Sequence, residues 1–289
     1  MVLRKVPLSS LLLVLILTSG VLLTGALLFA VRQESGEAAV QSAQLHFKEI
    51  ASKTIAEVGT IVASITAVTD TAALIFSGDP GPDADRDLAA MRAILDDNNQ
   101  ILSCYVGYPD GRFHQLIAPR GNGHILAAYD VPANAAYIDR IIALEADGTR
   151  RQSWRFLDEG LNLLTVRKDA AVSFDPRQRP WYLDAQAARD ATYTAPYVFS
   201  SSRLPGITCA RLLADQGGVF GVDVSLAQLG DMLAAQRVTS HGTLWIVDQA
   251  GRLVAHPGQP WEKLVGDSLT LPLAAASADP VVIYTTQAA

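Results

Sequence analysis

The pattern of apolar and polar positions divides the chain into four stretches, and each predicts its own elements. The first stretch, Leu8 to Val31, contains no charged residue. It is long enough for a bilayer core, which takes roughly 20 apolar residues in a helix. Arg4 and Lys5 precede it, and Arg32, Glu34 and Glu37 follow. The positive-inside bias then places the N-terminus in the cytoplasm and the rest outside. A cleaved signal peptide is the competing reading, but its apolar core is usually about 7–15 residues. Gly20 and Gly25 allow close helix packing, a weak signal. From Gln33 to Ala289 nothing approaches a second uninterrupted apolar run of about 18 residues. The chain reads as single-pass, with its bulk beyond the membrane.

The second pattern runs from Gln33 to Ser77, without proline and rich in Ala, Glu, Gln, Lys and Ile, which predicts a long helix. Val40, Phe47, Ile61, Val68 and Ile75 fall on a seven-residue spacing broken at Thr54, with Val58, Ile65 and Ala72 on the same flank. Such a stripe suits packing on a body or on a partner helix. Gly78-Asp79-Pro80-Gly81-Pro82 stops the helix.

The third pattern is short alternating runs separated by turn residues. Asp87 to Asn98 reads as a short helix. Ile101–Tyr108 and Arg112–Ile117 read as strands joined by Pro109-Asp110-Gly111. Ala133–Leu144 is compatible with helix or strand. Arg151–Leu157 and Leu161–Arg167 flank Asp158-Glu159-Gly160 as a second hairpin. Pro180 opens a helix over Trp181–Ala188. Strands are expected over Tyr193–Ser200, Ile207–Ala214 and Gly218–Val224. In the fourth stretch, Ser225-Leu226-Ala227-Gln228 reads as a capping box for a helix to about Gln236. Thr243–Val247 and Arg252–His256 then form a further hairpin around Asp248-Gln249-Ala250-Gly251. Together these predict an α+β chain in two lobes, a transmembrane helix and long stalk helix leading into antiparallel sheets, the second lobe incomplete.

Composition narrows the function. The chain has 289 residues, 49% apolar and 18% charged, with a formal net charge of −6. Beyond the extreme N-terminus there is no basic cluster, which argues against nucleic acid as a partner. Cys104 and Cys209 sit in apolar runs and read as buried free thiols, the alternative being one disulfide in an oxidising compartment. His46, His114, His124, His241 and His256 are scattered, with no spacing for a metal, and no cofactor is expected. No G-x-S-x-G elbow, H-E-x-x-H or Walker loop is present, so an enzyme is not expected in this chain. An exported hydrolase built from distant residues, or a surface protein with a non-functional pocket, remain the alternatives.

At Phe174-Asp175-Pro176-Arg177-Gln178-Arg179-Pro180-Trp181-Tyr182 the sequence resembles the double Cache sensor domain of bacterial chemoreceptors, sensor histidine kinases and membrane nucleotide cyclases. Tyr193-Thr194-Ala195-Pro196-Tyr197, Gly206-Ile207-Thr208 and Gly218 to Leu226 agree. So do Leu244 to Asp248 and Gly251 to Pro257. The phrasing around Phe174 to Tyr182 looks most like examples attached to adenylate or guanylate cyclases. The resemblance runs from about Gln33 to the end. It implies a long helix carrying two PAS-like lobes, the membrane-distal one holding a small ligand, often an amino acid, amine or carboxylate. It also implies a homodimer through the stalk helices in the bacterial inner membrane, facing the periplasm. The expected organisation is an anchor at 1–32, a stalk at 33–78, a ligand-binding lobe at 79–224 and a partial second lobe at 225–289. The chain reads as cut short before any output domain.

The resemblance also implies a pocket. Arg179, Trp181, Tyr182, Tyr197 and Asp223 match positions that hold ligand in the amino-acid-binding branch. Arg179 suits bidentate grip of a carboxylate, the rings suit walls and hydroxyl contacts, and Asp223 suits an amine. Two positions depart from the pattern. Phe174 replaces a Tyr and Phe199 replaces an Asp, leaving both as pocket wall. The expectation is a carboxylate-bearing ligand rather than an ordinary α-amino acid, with any amine relying on Asp223. Plainer readings stand beside these: Arg179 paired with Asp175 or Asp184, Trp181 and Tyr182 as core, Tyr197 and Phe199 lining one strand face, and Asp223 supporting the turn at Ser225.

Overall fold

The structure, a computed structural model, describes residues 41–42, 44–46, 48–77, 84–169, 172–235, 245–248, 250–257 and 269–271. The expected anchor Leu8–Val31, the start of the stalk and the Gly78–Pro82 stop lie outside the described residues. By its contacts the chain divides into Met1–Glu57 and Val58–Ala289. In the first unit the described residues are helical, with Leu45 and Ile55 exposed and Lys53 Nζ 3.8 Å from Glu57.

Helix α1 is described over Gln44–Ile75. Its length and average hydropathy would also let it cross a membrane, although polar residues interrupt its apolar runs. From Val58 onward its apolar content has another cause. Ile65, Thr69, Ala72 and Ala73 are buried, with Ile61 and Val68 partly so, and Phe76 completes the line just past the helix end. The spacing of three and four is that of one helix face. Ile75, expected on this stripe, is 49% exposed. A strict seven-residue repeat drifts around a straight helix of 3.6 residues per turn, and the buried line has passed to Phe76.

Helix α2 (Ala84–Asp97) leads into the hairpin of β1 (Ser103–Gly107) and β2 (Phe113–Ile117). Gly111 takes the left-handed turn position (φ 86°) and donates to Tyr108 O at 3.0 Å. A short helix α3 (Gly123–Tyr129) follows, capped by the Asn122 side chain. Its place was not anticipated, because seven residues make only about two turns, too few to show a period. The undecided Ala133–Leu144 stretch is extended: β3 spans Tyr137–Leu144, followed by β4 (Arg150–Leu157) and β5 (Leu163–Asp169). Then come α4 (Pro180–Ala187), β6 (Thr192–Tyr193), β7 (Tyr197–Val198), β8 (Pro205–Leu212) and β9 (Val219–Ser225). The strand expected over Tyr193–Ser200 is broken in two. Pro196 lacks an N–H for the ladder, and both pieces pair with β8.

These strands form one antiparallel sheet in the order β5-β4-β3-β2-β1-β9-β8-β6, with β7 also on β8. The first and last strands of the lobe, β1 and β9, are neighbours, which closes the lobe on itself. One face packs on α1 and α2. There Ile65, Phe76, Met91 and Leu95 meet Cys104, Val106, Phe220 and Val222, and the Phe76 and Phe220 rings stack at 5.2 Å. Burying each such side chain contributes about 1.5–3 kcal/mol. At the sheet edge, Tyr193 Oη donates to Val62 O at 2.9 Å, and Arg211 pairs with Asp70. The opposite face carries the rings described below.

After β9, α5 (Leu226–Ala235) starts as the capping box foresaw: Ser225 Oγ accepts from Gln228 N at 3.2 Å, and Gln228 Oε1 accepts from Ser225 N at 3.2 Å. Leu226 packs with Leu253, Trp245 and Leu271 beside a two-stranded sheet, β10 (Ile246–Val247) and β11 (Leu253–Ala255).

Both cysteines are buried and free. Cys104 and Cys209 each sit in register with Val222, on opposite sides of β9. Two strand spacings put their Cα atoms about 9–10 Å apart, beyond the reach of a disulfide. Denaturing alkylation without reductant is therefore expected to label both thiols. A mass matching an unlabelled, bridged pair contradicts this register.

Candidate functional site

On the sheet face away from α1, cross-strand register writes out two rows. One runs Thr208, Asp223, Ser103, Ile117, Ile138 across β8, β9, β1, β2 and β3. The next runs Ala210, Gly221, Tyr105, Gln115, Arg140, Trp154. Polar side chains thus sit in the middle of a face otherwise covered by aromatic rings. The covering comes from the segment around Phe174, from α4, and from the turn between β7 and β8.

Asp223 is the centre of this arrangement. It is 2% exposed, and three hydroxyls donate to it: Tyr105 at 2.7 Å and Thr208 at 2.6 Å to Oδ1, and Ser103 at 2.9 Å to Oδ2. Tyr197 Oη lies 2.7 Å from Thr208 Oγ1 and extends the chain of hydroxyls. Burial pushes the Asp223 carboxyl up to about 6, against the pull of the Thr208, Tyr105 and Ser103 hydroxyls and of the Arg179 charge. Burial likewise raises the Tyr105 and Tyr197 phenols, with the Asp223 charge adding to it. Asp223 takes no part in capping α5, which Ser225 and Gln228 accomplish themselves.

Arg179 reaches the site from the residue preceding α4. Its backbone is extended and its carbonyl starts the helix, accepting from Tyr182 N at 3.1 Å, while Pro180 takes the first helical position. Asp175, the nearest carboxylate in sequence, is bound by Arg177 instead, Nε to Oδ1 at 2.9 Å and Nη2 to Oδ2 at 2.7 Å. Among the described residues no carboxylate lies within ion-pair distance of Arg179. Its guanidinium touches the Val198 carbonyl at 3.4 Å and lies 5.8 Å and 5.9 Å from the Tyr197 and Phe174 ring centres.

Arg179, Trp181, Tyr197, Asp223, Phe174 and Phe199 all line one cavity. Tyr182 does not line it. It packs behind Trp181 (centroids 5.5 Å apart), where Arg177 and Asp110 are its charged neighbours. Trp181 lies close over the β1 backbone, since a Cβ at Gly107 would stand 2.7 Å from its ring. Phe199 lies over Gly206 in the same way. The cavity that remains is about 10 Å³, room for about one water. A larger guest requires a ring or the 199–204 turn to move.

Five contributors were absent from the sequence reading: Tyr105, Phe113, Gln115, Ser200 and Ser201. The available signal was the polar alternation of Ser103, Tyr105 and Gln115 within an otherwise apolar hairpin. Beside the cavity, Arg140 is held between the Trp154 and Phe174 rings (4.8 Å and 4.4 Å), with Nε and Nη2 on Gln152 Oε1 at 2.8 Å and 2.7 Å. Burial lowers its guanidinium to about 10. Among the described residues no group of His, Cys, Asp and Glu suits a metal ion.

No family model matches the chain. Adenylate cyclase 1 of Rhizobium meliloti (strain 1021) is 29% identical over 181 residues, 61% of this chain and 27% of the cyclase. Methyl-accepting chemotaxis protein McpB of Bacillus subtilis (strain 168) is 34% identical over 112 residues, 38% of this chain and 17% of McpB. The chain thus spans about a quarter of one relative and under a fifth of the other. Both are of the classes that the Cache resemblance implied. Among solved structures, the ligand-binding domain of the Pseudomonas fluorescens chemoreceptor CtaA in complex with L-alanine is 21% identical, covers 74% of this chain and 72% of that one, and has a TM-score of 0.46.

The raised Asp223 carboxyl makes stability depend on pH with a definite sign. The folded state holds that proton more tightly than the unfolded state, so its contribution is full below the ordinary value of 3.8 and is lost as pH rises through about 6. The gap is worth about 3 kcal/mol. Asp223→Asn, which has no such proton to lose, is expected to gain in melting temperature relative to wild type between about pH 4 and about pH 7. Parallel melting profiles over that range contradict the assignment.

Proposed function

We propose that the chain is the extracytoplasmic ligand-sensing part of a membrane-bound bacterial signalling receptor, and that it holds a small carboxylate-bearing molecule without turning it over. The observation that carries this is Arg179: a guanidinium beside a ring-lined cavity, with no carboxylate partner among the described residues. A ligand carboxylate would supply that partner, with the bidentate geometry guanidinium favours. The likeness to chemotaxis receptors and a cyclase supports a sensor over an exported hydrolase.

In this reading Leu8–Val31 anchors the chain in the inner membrane with the N-terminus inside, residues 33–78 form the stalk, 79–224 the ligand-binding lobe and 225–289 part of a second lobe. Two copies pair through their stalk helices. Any cyclase, kinase or methyl-accepting output belongs to sequence other than this lobe.

The test is thermal unfolding of the full chain in nanodiscs against a panel of small carboxylates and amino acids. A ligand at about a hundred times its Kd is expected to raise the melting temperature by about 5–10 °C. Arg179→Ala is expected to abolish that rise. A ligand-induced rise that survives Arg179→Ala removes the guanidinium from the reading.

A further inference from the structure

We infer that Gln115 sets a donor requirement on the ligand: its Oε1 accepts a hydrogen bond from an N–H of the bound molecule, while Asp223 acts behind it and fixes the amide's orientation. This deepens the proposed function and rests on Arg179 anchoring a carboxylate.

A serine hydroxyl has a single proton to give. Ser103 gives its own to Asp223 Oδ2 at 2.9 Å, because an ionised carboxylate can only accept. The Ser103 oxygen must therefore accept from Gln115, whose Nε2 lies 3.1 Å away. The other Nε2 proton goes to Ser201 Oγ at 3.2 Å. Turning the amide over would set Oε1 against an oxygen whose proton is already committed. The amide is thus held with Oε1 as its open end. Gln115 is 2% exposed and lines the cavity, and Oε1 has no partner. A buried carbonyl left so costs about 1–3 kcal/mol, recovered when a donor arrives.

Asp223 is placed differently from the sequence expectation. Three hydroxyls already occupy three of the roughly four acceptor positions of its carboxylate, so its main contribution is a charge nearby. That charge favours a protonated amine over a neutral hydroxyl at Gln115. Arg140 lies across the strand pair from Gln115 and its Nη1 also lacks a partner. Its guanidinium is clamped between rings outside the cavity lining. The cavity therefore offers donors at Arg179 and an acceptor at Gln115, which matches a carboxylate carrying a nearby N–H. A plain carboxylate satisfies only the first.

The experiment is calorimetry on the full chain in nanodiscs with two matched series: propionate, L-lactate and L-alanine, then valerate, α-hydroxyvalerate and norvaline. In wild type the amino member of each series is expected to bind about tenfold or more tighter than the unsubstituted acid, with the hydroxy member between. Gln115→Met should bring the three within about threefold of one another. Arg179-dependent binding of all three acids with the same ranking in wild type and Gln115→Met overturns this inference alone. Absence of Arg179-dependent binding by any member overturns it together with the proposed function. If Gln115→Met does not fold, the ranking in wild type decides: equal affinity for propionate and alanine overturns the inference.

Discussion

A carboxylate held away from water in the middle of a sheet is expensive unless its surroundings supply donors. Asp223 sits at that position, between β1 and β8, and the neighbouring strands supply Ser103, Tyr105 and Thr208 to it. Those three hydroxyls fix much else. Tyr105 lies across the sheet, where its ring meets Trp181 at 4.8 Å and Phe113 at 5.5 Å. Thr208 takes up the phenol of Tyr197. Ser103 orients Gln115. The polar floor and the aromatic roof are therefore one structure, built on a charge that burial alone would expel.

The same strands serve both faces. Thr208 bonds Asp223 on the cavity side of the sheet, while its neighbour Cys209 belongs to the core under α1, and Arg211 on the same strand pairs with Asp70 of that helix. Tyr193, on β6, bonds the α1 backbone at Val62. A shift of β8 by a fraction of an ångström at Thr208 is a shift at α1 too, because packed interiors transmit displacement rather than absorb it. In the proposed reading this is the path by which occupancy reaches the stalk.

What the sequence disclosed followed from local chemistry. The Pro109-Asp110-Gly111 and Asp158-Glu159-Gly160 turns, Pro180 at the start of α4 and the Ser225–Gln228 box each act within a few residues, and each appeared where expected. The undecided stretch shows why other parts were opaque. Asp139 and Arg140 are adjacent charges, both buried, on opposite faces of β3. Asp139 meets His114 at 2.8 Å and Arg155 at 2.5 Å, and Arg140 meets Gln152. Partners on other strands make those burials possible, and no local pattern announces them. The site divides in the same manner. Arg179 and Trp181 stand in a recognisable run. Tyr105 and Gln115 look, in one dimension, like the wet side of an ordinary hairpin, and Tyr182, within the same run as Arg179, turns out to brace Trp181 from behind.

The rings around the cavity leave it only about 10 Å³, so the pocket as described is filled by its own walls. If the chain admits a metabolite as proposed, observed affinity is the intrinsic affinity scaled by the fraction of time the walls stand apart. In the proposed reading, chemical selectivity resides in Arg179 and Gln115, whereas the threshold concentration for response resides in how readily Phe199 lifts from Gly206. In that reading, substitutions in the 199–204 turn retune sensitivity without changing which molecule is recognised.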